Sequence, residues 1–344
     1  MSVRSLVSGA KSRAVRWTFN SAVVRALCER MTRRCPRILM YHRFAGAHED
    51  RKLPQQEFAR QMKFLRDQNF NVMPLPLLAE RLAHDEPPPR TVAVTVDDGY
   101  EDFHRYAMPV LREYRIPATI FVTNDFIDQT LWLWPDVVEY AIMSTRKPAL
   151  AHSRSGEERV YALGSPAERR KVWSTVGDHL LSMGDRERTD AIRALCEQLD
   201  VSVPSRPPEE FRAMSWEQAR QCHEAGVEIG GHTMKHPILT SMPEAEAEAE
   251  ITRSKQDIEV RIGAPCKSFA YPNGTTADYN DAIKAMVARA GFTNASVAFH
   301  DGQRSFDLME LRRFSMGPNF ERFTRALSGA EQVSLAIKSR LNVR

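Results

Sequence analysis

The chain has 344 residues, 42% of them hydrophobic and 27% charged, with a net charge of +4. That is ordinary globular composition, long enough for one α/β barrel, and its charge is too small to indicate a nucleic-acid binder. The charge is uneven, however. Residues 1–37 hold Arg4, Lys11, Arg13, Arg16, Arg25, Arg30, Arg33, Arg34 and Arg37 against a single acid, Glu29. A basic N-terminal arm, residues 1–36, therefore precedes a mildly acidic body.

Within the arm, Val3, Leu6, Val7, Ala10, Ala14, Trp17, Val24, Leu27 and Met31 recur near the helical period. Several readings fit: an amphipathic helix through residues 1–34 lying on an anionic membrane surface, a solvated helix packed on the body or a frayed terminus, or a transit peptide, which is also Arg-rich and acid-poor. The five cysteines Cys28, Cys35, Cys196, Cys222 and Cys266 form no close pair, which fits a reducing compartment. No run of 18 apolar residues occurs, and Arg13, Arg16 and Arg25 interrupt any signal-peptide core. The expected location is cytoplasmic, with peripheral contact at the inner membrane face on the first reading of the arm.

From Pro36 onward strands and helices alternate. Arg37–Tyr41 (RILMY) reads as a strand, Gln55–Gln68 as a helix with Phe58, Met62 and Leu65 on one face, Asn71–Met73 as a short strand and Leu75–Leu82 as a helix. Thr91–Val96 (TVAVTV) is β-branched, apolar and bounded by turn residues, the pattern of a buried strand. Asp102–Tyr114 reads as a helix and Ala118–Thr123 as the next strand. Residues 126–212 interrupt this rhythm with the aromatics Trp132, Trp134 and Tyr140 and a polar stretch at 165–199, and read as a helical insertion. Alternation then resumes: helix Trp216–Ala225, strand Val227–Gly230, helix Pro243–Ile262, strand Lys267–Ala270, helix Ala277–Ala290, strand Asn294–Phe299. Ser241-Met242-Pro243-Glu244 reads as a capping box and Gly263 as a C-cap glycine. The run Glu244, Glu246, Glu248, Glu250 reads as a solvated helix face. About seven strands separated by helices predict a parallel sheet, either a (β/α) barrel or an open doubly wound sheet, with chemistry at the C-terminal ends of the strands.

Two motifs sit at such ends. Asp97-Asp98-Gly99 follows the TVAVTV strand, and adjacent carboxylates there point in different directions, so one can bind a metal while the other faces a substrate. Gly230-Gly231-His232-Thr233-Met234-Lys235-His236 follows another strand and carries two histidines four apart, able to present both rings to one ion. Each alone has an ordinary alternative, a turn or a pair of hydrogen-bonded histidines. Together, two histidines and one carboxylate leave open positions on a divalent metal, and a free carboxylate beside them suits general-base work.

Thr95-Val96-Asp97-Asp98-Gly99 resembles the T-F-D-D-G motif of the polysaccharide deacetylase superfamily, carbohydrate esterase family four. His232-Thr233-Met234-Lys235-His236 is similar to that family's H-[ST]-x-x-H, and Phe269-Ala270-Tyr271-Pro272-Asn273-Gly274 to the F-x-Y-P-x-G of its exopolysaccharide-modifying branch. Leu39-Met40-Tyr41-His42 resembles that branch's N-terminal Leu-x-x-His strand, and Glu310-Leu311-Arg312-Arg313-Phe314 a late Leu-x-Arg segment. The resemblance spans residues 37–318, leaving 319–344 as a helical tail. It implies a distorted (β/α) barrel of about seven parallel strands and hydrolysis of an N-acetyl group from an amino sugar; the lack of a signal-peptide pattern points to an intracellular donor, a lipid-linked or nucleotide-linked N-acetylamino sugar. The resemblance also implies one divalent metal, zinc by default with cobalt, nickel or manganese able to serve, held by Asp98, His232 and His236. By the same resemblance Asp97 is the base, His42 the general acid, the Tyr271 backbone N–H an oxyanion donor, and Arg313 the group that orients Asp97.

The sequence departs from the family pattern in three places. Val96 replaces the motif phenylalanine, Phe269-Ala270 stands where many members carry an arginine, and no Asp-Trp motif is present. On residues alone, His42 is either an acid or a core histidine, Tyr271-Pro272-Asn273-Gly274 either a site or a turn, and Arg313 either an orienting group or a plain ion pair. The pair Trp132 and Trp134 either stacks on sugar rings or packs the insertion. Two other functions stay open: a metal amidohydrolase acting on a small cyclic amide, and a catalytically weak carbohydrate-binding scaffold.

Overall fold

A computed structural model describes residues 21–47, 52–84, 87–154, 156–302 and 306–340. Helix α1 (Ala22–Met31) leads into β1 (Arg37–Tyr41), every residue of which is buried. Strands β2 (Phe44–Ala45) and β3 (Leu53–Pro54) pair in a small parallel sheet. Then come α2 (Gln55–Asp67), β4 (Asn71–Val72), α3 (Leu75–Ala83), β5 (Thr91–Val96), α4 (Met108–Tyr114) and β6 (Thr119–Val122). The insertion holds α5 (Asn124–Ile127), α6 (Trp134–Ser144), strands β7 (Ala149–Arg154) and β8 (Glu157–Ala162), α7 (Pro166–Leu180) and α8 (Asp185–Gln198). The last stretch runs α9 (Trp216–Glu224), β9 (Glu228–Gly231), α10 (Glu244–Ile262), β10 (Ser268–Ala270), α11 (Asp281–Arg289), β11 (Asn294–Ser296), β12 (Phe314–Ser315), α12 (Phe320–Leu327) and α13 (Ala330–Arg340).

The main sheet is parallel throughout, in the order β11-β10-β9-β6-β5-β1-β12, with β4 beside β5. Its edges approach each other through residues 308–315. Ala295 N–H donates to Leu308 O and Arg313 N–H to Phe299 O on one side, while Phe314 registers with Leu39 on the other. The result is the expected distorted barrel, seven parallel strands in its path with the two-residue β4 as an eighth at the side, because buried β-branched runs joined by crossover helices close only as a parallel sheet. Its core includes Val94, Ile120, Phe269 and Tyr271. Gly230 lets β9 lie close to its neighbours, since a Cβ there would come within 2.6 Å of the Phe121 ring and 2.9 Å of Ser268 O.

The structure differs from the sequence expectation in several places. The 102–114 helix starts with a π-helical turn over Phe103–Ala107. The insertion is not all helical: Ala149–Ala162 forms an antiparallel hairpin turning near Gly156, whose φ is 81°. The insertion also has a small core of its own, including Ile142, Val172 and Leu195. Ser241 is not a cap. Its hydroxyl donates to Ile238 O in a 3₁₀ turn, and α10 starts after Pro243 with no side-chain cap. Capping boxes do occur at Ser165–Glu168 and Ser215–Gln218, and Gly263 ends α10 at φ 77° as expected. Residues 1–20 of the basic arm and 341–344 of the tail lie outside the described residues.

Candidate active site

The C-terminal ends of β1, β5 and β9 put His42, Asp97-Asp98 and His232 on the rim of one cavity of about 490 Å³. Tight turns set the directions of these side chains. Asp98 (φ 78°), Thr233 (φ 67°) and His236 (φ 59°) all occupy the left-handed region, an unfavourable conformation held by surrounding bonds. His236 N–H donates to Thr233 Oγ1 at 2.9 Å. The N–H groups of Met234 and Lys235 both donate to Glu250 Oε2 at 2.9 Å. Glu250 belongs to the acidic run on α10, so that face is not merely solvated: one of its carboxylates holds the histidine loop.

His232 Nε2 lies 3.5 Å and His236 Nε2 3.7 Å from Asp98 Oδ1, and one ligand atom from each of the three residues falls within 4.8 Å of the others. A tetrahedral zinc with bonds of about 2.1 Å has ligand-to-ligand edges of about 3.4 Å. The cluster therefore has the spacing of a metal site, and its chemistry fits a divalent cation. His232 Nδ1–H donates to Ala270 O at 2.7 Å, which leaves the Nε2 lone pair for the metal. His236 Nδ1 is buried without a hydrogen-bond partner among the described residues. Burial holds His236 down to about 4, helped by His232 and opposed by Asp98 and Asp97, so its ring is neutral, as a ligand requires. Burial alone would raise Asp98, but contact with His232 and the fields of His42 and His236 hold it well below the usual carboxylate range.

Asp97 faces the other way. Arg313, fully buried, grips it with Nη1 to Oδ1 at 2.6 Å and Nη2 to Oδ2 at 2.7 Å. The same guanidinium donates to Val297 O and Thr95 Oγ1. Burial pushes Asp97 up, and the Arg313 charge, with His42 and His232, outweighs it and keeps the carboxylate ionised. His42 Nε2 stands 3.6 Å from Asp97 Oδ2, with its ring 42% exposed toward the cavity. His42 thus stands at the cavity and not in the core, and Arg313 holds both oxygens of Asp97.

The expectation for Tyr271 needs correction. Its backbone N–H donates to Ser296 O at 3.1 Å as part of the β10–β11 pairing, so that N–H is not free for an oxyanion. The Tyr271 ring lines the cavity, its hydroxyl donates to Met309 O, and Tyr279 stacks on it with centroids 4.8 Å apart. Uncommitted donors occur two residues on. Asn273 lines the cavity at φ 57°, its backbone N–H has no partner among the described residues, and its Nδ2 is buried and unpaired. The Tyr271 N–H is engaged because strand pairing, which no local pattern records, decides which N–H is spent.

The insertion builds one wall of the cavity with Leu133, Pro135, Asp136, Glu139 and Trp173. Trp132 packs on Tyr140 and Phe211, and Trp134 lies under Arg188; neither lines the cavity. A charged cluster that no motif signalled joins this wall to the barrel. Arg43, next to His42, donates to Asp102 at 2.7 Å, sits 3.9 Å from Asp136 and covers the Tyr100 ring at 3.7 Å. Tyr100 OH donates to Asp136 Oδ2 at 2.8 Å. Burial pushes Asp136 up to about 7 despite Arg43.

A parallel barrel with a buried two-histidine, one-carboxylate cluster beside a second, arginine-held carboxylate has the donor arrangement that metal-assisted hydrolysis requires. The sequence profile of the family described as polysaccharide deacetylase matches residues 84–156 and 164–295, well over half of the chain, and the protein belongs to that family. A putative polysaccharide deacetylase of Bacillus subtilis (strain 168), YxkH, is 37% identical over 91 residues. That stretch is 26% of this chain and spans only 32% of that relative's length. Among solved structures, deacetylase PplD of Streptococcus pyogenes, in complex with acetate, superposes with a TM-score of 0.55 at 17% identity, covering 84% of this chain and 95% of that one. IcaB from Ammonifex degensii gives 0.55 at 18% identity, over 86% and 97% of the two chains. A de-N-acetylase from Aggregatibacter actinomycetemcomitans gives 0.52 at 14%, over 83% and 95%. At these identities the likeness is one of fold.

Proposed function

We propose that the protein removes the N-acetyl group of an amino sugar in a glycan or polysaccharide precursor, by metal-assisted hydrolysis to acetate and a free amine. The observation that carries this reading is the convergence in one cavity of three metal donors, Asp98, His232 and His236, with an ionised Asp97 and an accessible His42. Asp98, His232 and His236 would hold a divalent cation, zinc by the chemistry of the donor set, with cobalt, nickel or manganese able to replace it. When bound, the metal polarises the acetamido carbonyl and acidifies a water.

The chain's own groups supply the rest. Asp97, pinned by Arg313 so that its free lone pairs keep one direction, accepts the proton of the attacking water. As the carbonyl carbon becomes tetrahedral, its oxygen takes up negative charge, and the Asn273 donors, which line the cavity without a partner among the described residues, would meet it. The carbon–nitrogen bond then breaks, and His42 delivers a proton to the departing amine. The names of the relatives given above support acetyl removal from a polysaccharide. Among the described residues no helix is long and apolar enough to cross a membrane. The five cysteines, none in a disulfide, support action in a reducing compartment.

The test pairs metal content with product. Wild type should hold about one divalent ion per chain and release acetate from N-acetylglucosamine oligosaccharides, and the His232→Ala/His236→Ala double variant should do neither. A folded wild type that takes up no metal after reconstitution removes the mechanism. Metal uptake with sugar binding but no acetate release means a carbohydrate-binding scaffold.

A further inference from the structure

Helix α1 has two unlike faces. On one, Cys28 is 3% exposed and packs with Val24 against Ala330 and Val333 of α13. On the other, Val23, Leu27 and Met31 are 77%, 57% and 51% exposed, and no other helix of the described residues sets out three large apolar side chains this open. Their spacing of four keeps them in one stripe, with exposed Ala26 between them. Exposed Arg30, Arg33 and Arg34 follow at its C-terminal end, and residues 1–20, which precede it in the chain, hold Arg4, Lys11, Arg13 and Arg16 and no acid.

We propose that this stripe is the docking surface for an anionic lipid bilayer, with Val23, Leu27 and Met31 entering the headgroup region and the arginines meeting lipid phosphates. Apolar side chains rimmed by arginine suit the interface of a charged bilayer. A second copy of the chain is the poorer partner, because pairing this face with itself sets arginine against arginine.

The place of α1 in the fold gives the docked orientation. Glu29 pairs with Arg90 at 3.0 Å, and Arg90 N–H donates to Arg33 O. Arg90 directly precedes β5, and Arg37 opens β1, so α1 is anchored at the N-terminal ends of these strands. Asp97 and His42 follow their C-terminal ends. The six residues of β5, at about 3.3 Å each, separate the two ends by roughly 20 Å. A bilayer under α1 therefore lies away from the catalytic mouth. A sugar attached directly to a headgroup stops short of the metal donors, whereas a glycan long enough to pass the barrel wall reaches them.

The experiment is co-sedimentation of the full chain with phosphatidylglycerol–phosphatidylcholine vesicles and with phosphatidylcholine vesicles. Two variants are compared with the parent: Val23→Asp/Leu27→Asp/Met31→Asp, and Arg30→Gln/Arg33→Gln/Arg34→Gln. Both change exposed side chains, and matching circular dichroism and Tm values check that each is folded. The expected result is salt-sensitive binding of the parent to anionic vesicles only, loss of binding in the stripe variant, and a roughly 100-fold weaker partition in the arginine variant. Equal binding to neutral vesicles, no binding by the parent, or a stripe variant that binds like the parent overturns the proposal. So does a parent dimer that the stripe variant converts to monomer. None of these readings uses enzyme activity, so the outcome is independent of whether the deacetylase reaction is observed.

Discussion

Replacing Arg313 by Met should destabilise the protein more than any change at the cavity rim. The side chain is fully buried and spends four hydrogen bonds: two on Asp97 and one each on Thr95 Oγ1 and Val297 O. Met fills much of the volume but leaves the Asp97 carboxylate buried without its counter-ion. Removing one partner of a buried pair costs about 3–5 kcal/mol, a large share of a typical stability of about 5–15 kcal/mol. For a chain of this length the fall in Tm should be about 4–7 °C. The sign of the pH effect follows from the partners. Arg313 depresses the folded pKa of Asp97, so its stabilisation is present above the unfolded value of about 3.9 and lost as pH falls through the lower folded value. In the variant burial is left to dominate and Asp97 takes up a proton, so the gap to wild type should narrow in acid. Urea unfolding across pH, on metal-free protein, measures this. Adding Asp97→Asn to the Arg313→Met background should restore part of the loss, because it removes the unpaired charge. A loss below about 1 kcal/mol, or a double variant no more stable than Arg313→Met, would refute the argument.

Three further outcomes follow from the same geometry. Asp97→Asn should keep wild-type metal content, measured by elemental analysis, while the deacetylation rate falls about 10²-fold or more. Asn273→Gly keeps a residue at ease with φ 57° but removes the side-chain amide; kcat should drop by roughly 10²-fold with KM little changed if that amide meets the oxyanion, and an unchanged kcat would assign the work to the backbone N–H alone. Asp136→Asn tests the charged cluster under the insertion. The folded pKa of Asp136 is raised to about 7, so its stabilisation is full below the unfolded value of about 3.9 and lost as pH rises through 7. The variant should lose least, or gain, at the alkaline end of that window when unfolding is followed against pH, and a pH-independent difference from wild type would count against a buried, proton-bearing Asp136.

Elements and motifs whose cause is local were legible in the sequence. TVAVTV forms a strand because β-branched side chains pack on a pleated, buried surface, and the structure places it at Thr91–Val96 as expected. The candidate metal donors could be read because His232 and His236 stand four residues apart in one short loop and one strand end carries Asp97 and Asp98; the loop is not the helical turn that spacing suggested, since Thr233 and His236 both adopt positive φ. The strand Phe314–Ser315 was hidden, since two residues show no periodicity and its pairing with β1 is set by sheet closure. Glu250 was hidden in an acidic run that looked solvated, because only the packing of α10 against the histidine loop brings its carboxylate under two N–H groups.

By itself, then, the sequence determined which residue types stand at the strand ends, and so the donor set and the basic character of the arm. Tertiary structure alone decided how hydrogen-bonding capacity and surface were allotted among them. The Asp97–Arg313 grip joins residues 216 positions apart, and the order of strands gives the Tyr271 N–H to Ser296 and leaves the Asn273 N–H without a partner among the described residues. The contact with α13 buries Cys28 and turns Val23, Leu27 and Met31 outward. A backbone N–H can be spent only once and a helix face buried only against a neighbour, and both depend on which elements lie side by side, something no local pattern of side chains records.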